Sequence, residues 1–155
     1  MIRILFVCHG NICRSPMAEY YMKDLVQRRG LSRHFTIASA ATSTEEIGNP
    51  VYPPARRELA RHGIACEGHA ARQMERRDYQ RWDYLIGMDE ANRRNMTRLC
   101  GGDRAGKISL LMDWTGHPRS VADPWYTGDF EATWNDVVQG CGALLEQLVR
   151  THHLA

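Results

Sequence analysis

The sequence predicts an α/β fold: a single doubly wound domain spanning residues 1–155, with a four-stranded parallel sheet and helices on both faces. Three observations predict it. Short apolar runs alternate with longer segments whose apolar residues recur at helical spacing. Glycine, proline and asparagine punctuate the junctions between them. No repeat, linker or low-complexity tract divides the 155 residues, a length that buries about two-thirds of the unfolded chain's surface without staples.

Ile2 to Val7 is apolar apart from Arg3, the pattern of a strand buried on both faces. Cys8 to Ser15 holds Gly10 and Asn11, which tolerate positive φ, and is a tight loop. Pro16 suits the first position of a helix capped by Ser15; Ala18, Tyr21, Met22, Leu25 and Val26 form its stripe and Gly30 its stop. Phe35 to Ala40 is the second strand, and Thr42 to Pro54 a long connection of the kind that often carries function. A short helix, Ala55 to His62, closes at Gly63. Tyr84 to Met88 and Ile108 to Leu111 are the third and fourth strands, separated by a helix from Glu90 to Leu99 that ends at Gly101-Gly102. After the polar stretch Asp113 to Gly128, residues Asp129 to Arg150 form the last helix, with 152–155 as a frayed tail.

Composition narrows the function. The chain is 43% hydrophobic and 25% charged, with 20 basic and 18 acidic residues and a net charge of +2, which argues against a general nucleic-acid binder. No apolar stretch approaches the ~20 residues that span a bilayer, so no membrane association is expected. Met1-Ile2-Arg3 runs straight into a strand without a signal-peptide pattern, and five unevenly spaced cysteines do not form a disulfide framework. Both point to the cytoplasm. Arginine outnumbers lysine 18 to 2, which a base-composition bias of the source explains more simply than phosphate binding. Residues 1–77 carry 12 basic and 7 acidic side chains, and 78–155 carry 8 and 11, a hint that an anion is handled near the N-terminal half.

Five residues separate Cys8 from Arg14, a spacing that sets a nucleophile beneath a phosphate with a guanidinium beside it. The spacing alone is weak, because this composition yields about 0.6 such pairs by chance. Cys66 and Arg72 form a second pair, but no strand run precedes Cys66, no helix start follows Arg72, and Glu67 would sit where an anion should. Cys8, in contrast, ends a buried strand, and Ser15-Pro16 opens a strong helix. Backbone N–H groups of His9, Gly10, Asn11, Ile12, Cys13 and Ser15 would converge on one point at the positive end of that helix. Cysteines beside a helix start and an arginine ionise below the ~8.5 of a free thiol. Cys8 would attack phosphorus in line, Arg14 would hold two equatorial oxygens with its planar fork, and loop amides the remainder. The Ser15 hydroxyl can cap the helix, bond the thiolate, or both.

The run Val7-Cys8-His9-Gly10-Asn11-Ile12-Cys13-Arg14-Ser15-Pro16-Met17-Ala18-Glu19 resembles the signature loop of the low-molecular-weight protein tyrosine phosphatases. Further elements follow in the family's order: Ser39-Ala40-Ala41-Thr42-Ser43, Ile47-Gly48-Asn49-Pro50, His62-Gly63-Ile64, His69-Ala70-Ala71-Arg72-Gln73, Met88-Asp89-Glu90-Ala91-Asn92 and Asp123-Pro124-Trp125-Tyr126. The resemblance implies a flavodoxin-like sheet of strand order 2-1-3-4. It implies hydrolysis of phosphotyrosine and small aryl phosphates through a phosphocysteine, with no cofactor or metal and with inhibition by phosphate and vanadate. It also implies that Asn11, Ser15, Ser39 and His69 form a buried polar network supporting the loop; taken alone, His69 reads equally well as a satisfied surface or core histidine.

Ester cleavage needs a proton for the leaving oxygen. Asp123 lies in the loop after the fourth strand, at the sheet edge that carries Cys8, and matches the family's general acid; the bland alternative is a turn initiated by Asp123-Pro124. Trp125 and Tyr126 would wall a crevice for a flat ester, or serve as core anchors. Ile12 would press against the ester. The chain departs from the family where Thr44 and Glu45 replace a usual aromatic and where Pro53-Pro54 replaces a common arginine; Glu45 would disfavour acidic peptides. His9 either adds charge at the loop mouth or faces solvent. Cys13 can trap an oxidised Cys8 as a disulfide or fill space behind the loop. Tyr126 is placed for phosphorylation.

Three competing readings remain at this level. A phosphoarginine phosphatase of the same fold typically carries threonine where Ile12 stands. A thioredoxin-coupled arsenate reductase needs extra cysteines after the third strand, where only Cys100 is available. A non-catalytic phosphopeptide-binding module would need neither Cys8 nor Asp123.

Overall fold

In the computed structural model, which describes residues 1–154, the backbone forms a four-stranded parallel sheet in the order β2-β1-β3-β4. The strands are β1 (Ile2–Cys8), β2 (Phe35–Ala41), β3 (Tyr84–Gly87) and β4 (Ile108–Leu110). The helices are α1 (Arg14–Arg28), α2 (Pro53–Arg61), α3 (Asp78–Arg81), α4 (Glu90–Cys100), α5 (Pro124–Thr127) and α6 (Phe130–Thr151). Parallel pairing runs Ile4↔Ile37 and Phe6↔Ser39 on one side of β1, and Phe6↔Ile86 on the other. The expected class and strand order are both present.

The sheet divides the interior into two layers. Ile2, Ile4, Phe6 and Cys8 face a large apolar layer with Met17 and Met22 of α1 and Val137, Leu144 and Leu145 of α6. Leu5 and Val7 face a smaller one with Met96 and Cys100 of α4. Alternation of this kind follows from the two-residue period of a strand. Both faces are buried, which is why the β1 sequence reads as continuous apolar residues. The crossovers β1-α1-β2 and β3-α4-β4 lie on opposite faces, so the chain direction of winding reverses between β1 and β3. That reversal opens a crevice beyond the carboxyl ends of those two strands.

The structure moves several expected boundaries. Helix α1 starts at Arg14 with Cys13 as its N-cap, so Ser15 is inside the helix and does not cap it. Pro53 and Pro54 open α2 instead of ending the loop before it. Short helices α3 and α5 were not expected; four residues carry too little periodicity to be recognised. Residues 152–154 are not frayed. His152 N–H donates to Leu148 O, the Tyr84 hydroxyl bonds His152 Nε2 at 2.9 Å, Leu154 N–H donates to Val149 O, and Leu154 packs on the core. Ala155 lies outside the described residues. Among the described residues, no helix is long and apolar enough to cross a membrane.

Two glycines set helix positions. A Cβ on Gly87 would lie 2.9 Å from Met96 Sδ and 3.0 Å from Asn92 Cβ, so glycine lets α4 settle against β3. A Cβ on Gly140 would lie 2.5 Å from Leu111 Cγ, where α6 crosses a fully buried leucine. Gly140→Ala is expected to destabilise the fold by about 1–2 kcal/mol, because overpacking outweighs the ordinary helix gain of alanine. Urea unfolding checks this; unchanged or raised stability would contradict the close approach.

Candidate active site

The loop between β1 and α1 closes into a cup because its peptide planes share one sense. Five of its carbonyls, those of Cys8, His9, Asn11, Ile12 and Cys13, are tied to donors. Cys8 O accepts from Thr42 N, His9 O from Ser43 N and Oγ, Ile12 O from Tyr52 N, and Cys13 O from Met17 N. Asn11 O accepts from His69 Nε2 at 2.8 Å. Among the described residues, none of the amides of residues 9–13 donates to a protein acceptor in these loop contacts. With the carbonyls tied outward, those amides are left for the interior of the cup, next to the unsatisfied N–H groups of the first turn of α1.

Asn11 makes this sense of turn possible. Its φ is +61°, a conformation asparagine tolerates better than most residues, and its side chain is wholly buried. Asn11 Nδ2 donates to Ser15 Oγ at 2.8 Å and to Ser39 Oγ at 2.9 Å, and Oδ1 accepts from Arg72 N at 3.2 Å. The network has a direction. Ser15 Oγ already accepts from Asn11, so its own hydrogen is available to Cys8 Sγ, 3.0 Å away. Ser39 likewise passes its hydrogen to Glu19, a buried carboxylate held by Lys23 Nζ at 2.6 Å. The expected members Asn11, Ser15, Ser39 and His69 are thus brought together. Glu19 and Lys23 were not foreseen, since both look like polar positions on an amphipathic helix. Arg72 is fixed in turn by Asp78, whose carboxyl stays below its ordinary range because its bonds to Arg72 and Glu75 N–H outweigh the effect of burial.

Arg14 has a side chain only 3% exposed. Its guanidinium donates to Asp89 Oδ2 at 2.9 Å, Val121 O at 3.1 Å and Asp123 Oδ2 at 3.3 Å. Burial works against its charge and is outweighed by the negative charges of Cys8, Asp123 and Asp89, which push its pKa up. Asp89 is the main residue the sequence did not single out for a role. It also caps α4, accepting from Asn92 N at 2.8 Å, so one carboxylate anchors both the arginine and the helix.

Asp123 is at the crevice, with its side chain 29% exposed, and caps α5 through Trp125 N at 3.1 Å. Trp125 and Tyr126 are 56% and 85% exposed and line the crevice, so they are not core anchors. Tyr52 backs Trp125, ring centroids 5.0 Å apart. Polar residues line the crevice as well: His9, paired with Glu45, and Glu46 and Asn95. Cys8, Ile12, Cys13 and Arg14 complete a crevice of about 430 Å³. Cys13 is buried, and burial together with the charge of Cys8 pushes its thiol up to about 12, which keeps it protonated. Cys100 is similarly raised to about 11 by burial and packs on the other face of the sheet from Cys8. Among the described residues, no three His, Cys, Asp or Glu side chains cluster as a metal site would.

A buried sulfur, a buried guanidinium and a carboxyl group thus line one crevice at the carboxyl edge of a doubly wound sheet. The family model described as low molecular weight phosphotyrosine protein phosphatase matches residues 3–154. The chain is 37% identical over 156 residues to the low molecular weight protein-tyrosine-phosphatase YfkJ of Bacillus subtilis, covering 99% of this chain and 100% of that protein. The crystal structure of YfkJ superposes with a TM-score of 0.93, covering 98% of this chain and 96% of that one. The human low molecular weight phosphotyrosine protein phosphatase is 38% identical over 149 residues, 93% of this chain and 94% of its own. A Drosophila arginine phosphatase structure, 28% identical, has a TM-score of 0.87 and covers 95% of this chain and 98% of its own. The chain belongs to the low-molecular-weight phosphotyrosine protein phosphatase family.

The backbone and side-chain contributions of Asn11 are separable. Asn11→Gly keeps the left-handed conformation and loses the hydrogen bonds, whereas Asn11→Ala loses both, at an added cost of about 1 kcal/mol. Calorimetry with inorganic phosphate should rank affinity as wild type, then Gly, then Ala. Wild-type affinity in Asn11→Gly would show that the side-chain network does not hold the cup.

Proposed function

We propose that this protein hydrolyses phosphotyrosine and small aryl phosphate monoesters through a phosphocysteine on Cys8, with Asp123 supplying and then removing the proton. The observation that carries this reading is that Cys8 and the buried Arg14 line one crevice, on a loop whose carbonyls are tied to donors elsewhere while its amides donate to no protein acceptor among the described residues.

The Cys8 thiolate, bonded by the Ser15 hydroxyl, attacks phosphorus opposite the ester oxygen. The S–P bond forms as the P–O bond breaks, and the carboxylic acid of Asp123 passes its proton to the departing phenolate. Charge on the equatorial oxygens meets loop amides and the planar fork of Arg14, donors already fixed before reaction. Water then attacks phosphorus. The Asp123 carboxylate takes a proton from that water, the S–P bond breaks, and Cys8 leaves as thiolate with phosphate as product. Ile12, Trp125 and Tyr126 supply apolar surface for the ring of an aryl ester. Five free thiols accord with a cytoplasmic enzyme.

Phosphoarginine is the competing substrate, because a structural relative is an arginine phosphatase. Apolar Ile12 in the crevice offers a guanidinium no polar contact, which favours the tyrosine ester. A thiol relay as in an arsenate reductase is disfavoured by Cys100, which is buried, kept protonated and on the opposite face of the sheet.

Cys8→Ser should abolish turnover while phosphate or vanadate still binds; residual turnover at the wild-type rate would remove Cys8 from the reaction. Arg14→Lys should lower kcat/KM by about 10²–10³-fold despite keeping the charge, since lysine cannot engage two oxygens in one plane. Parallel assays should show phosphotyrosine turned over faster than phosphoarginine, and the reverse order would assign the chain to the second substrate.

A further inference from the structure

Proton delivery requires the Asp123 carboxyl within hydrogen-bond reach of the leaving oxygen. Yet among the described residues the side chain is itself held only by Trp125 N at 3.1 Å and by a 3.3 Å contact from Arg14. Its placement therefore depends on the backbone that carries it. All four backbone polar groups of the two preceding residues are occupied. Val121 N–H donates to Met88 O at 2.9 Å, just past β3, and Val121 O accepts from Arg14 Nη1 at 3.1 Å. Ala122 O accepts from the Thr133 hydroxyl at 2.8 Å, and Ala122 N–H donates to Asp136 Oδ2 at 3.1 Å.

The last two bonds come from side chains of α6, one helical turn apart, in the first half of the helix. Thr133 is wholly buried and Asp136 nearly so, unusual places for polar residues on an otherwise apolar stripe. Asp136 is paired by both terminal nitrogens of Arg119, at 3.0 and 2.5 Å, and Arg119 also donates to Ser120 O at 3.1 Å. The segment from Arg119 to Ala122 is thus closed into a ring on α6. A fork-to-carboxylate pair of this geometry resists rotation as well as separation.

We propose that Thr133 and Asp136, the latter locked by Arg119, are positioning residues that fix Asp123 for proton transfer. The inference rests on Asp123 being the proton donor. It explains two buried polar side chains whose partners among the described residues are the segment Arg119 to Ala122 and, for Thr133, the start of its own helix.

The test compares kcat/KM for para-nitrophenyl phosphate, whose phenolate leaves readily, with phenyl phosphate, whose phenolate needs the proton. Thr133→Val should lower kcat/KM for phenyl phosphate at least about tenfold more than for the activated ester, because misplacement of a reacting group by a fraction of an ångström already costs rate. Thr133→Ser should restore the wild-type ratio. Arg119→Gln, at a half-exposed position that tolerates substitution, should shift the ratio in the same direction, so the proposal stays testable if the buried variant does not fold. In an Asp123→Ala background, adding Thr133→Val should leave the ratio where Asp123→Ala alone puts it. Equal losses on both esters, or a further change of ratio in that background, would overturn the positioning role. If Asp123→Ala itself leaves the ratio at the wild-type value, the proton-donor assignment falls instead.

Discussion

The site depends on one constraint, the common orientation of the peptide planes between Cys8 and Arg14. A loop whose carbonyls point outward can be a cup for an anion; the same loop with a single plane reversed would present a carbonyl oxygen to a phosphate. Four of the carbonyls are held by partners from other parts of the chain: Thr42 and Ser43 after β2, Tyr52 before α2, and His69 beyond it. The orientation is thus a property of the folded domain and not of the loop alone. Asn11 is where the constraint is sharpest, since the reversal of direction passes through its positive φ.

Electrostatics follows from that arrangement. The cup concentrates positive ends of amide dipoles at the N-terminus of α1, and the buried guanidinium adds a full charge. Two carboxylates, Asp89 and Asp123, flank the guanidinium but have separate duties: Asp89 is committed to capping α4, while Asp123 stands on a short helix at the crevice mouth. Ser15 Oγ, which accepts from Asn11, lies 3.0 Å from Cys8 Sγ, and Cys8 lines the crevice. Besides Trp125 and Tyr126, the crevice is lined by the paired His9 and Glu45, which add polar side chains to its rim.

Much of this was legible in the sequence. The alternation of apolar runs and helical stripes gave the doubly wound sheet, because strand and helix periods differ and each segment was long enough to show one. That Cys8, Arg14 and Asp123 meet at one crevice was legible because those residue types occur in a specific context of strand, loop and helix start. Three kinds of feature were not. Helices α3 and α5 are too short to reveal a period. The partners of Arg14 lie 75 and more residues away, a relation that spacing cannot carry. Buried polar residues on helices, such as Glu19, Thr133 and Asp136, occupy positions that a hydropathy pattern assigns to solvent. The Ser15 cap was misread for a related reason: serine before proline signals a helix start, but this hydroxyl is spent on Cys8 and Asn11.

A crystal structure grown with orthovanadate tests the central claim most directly. Vanadium should be bonded to Cys8 Sγ, with its equatorial oxygens on the amides of the loop and on the guanidinium of Arg14, and an apical oxygen facing Asp123. An oxyanion bound elsewhere, or a loop carbonyl turned into the cup, would contradict the account.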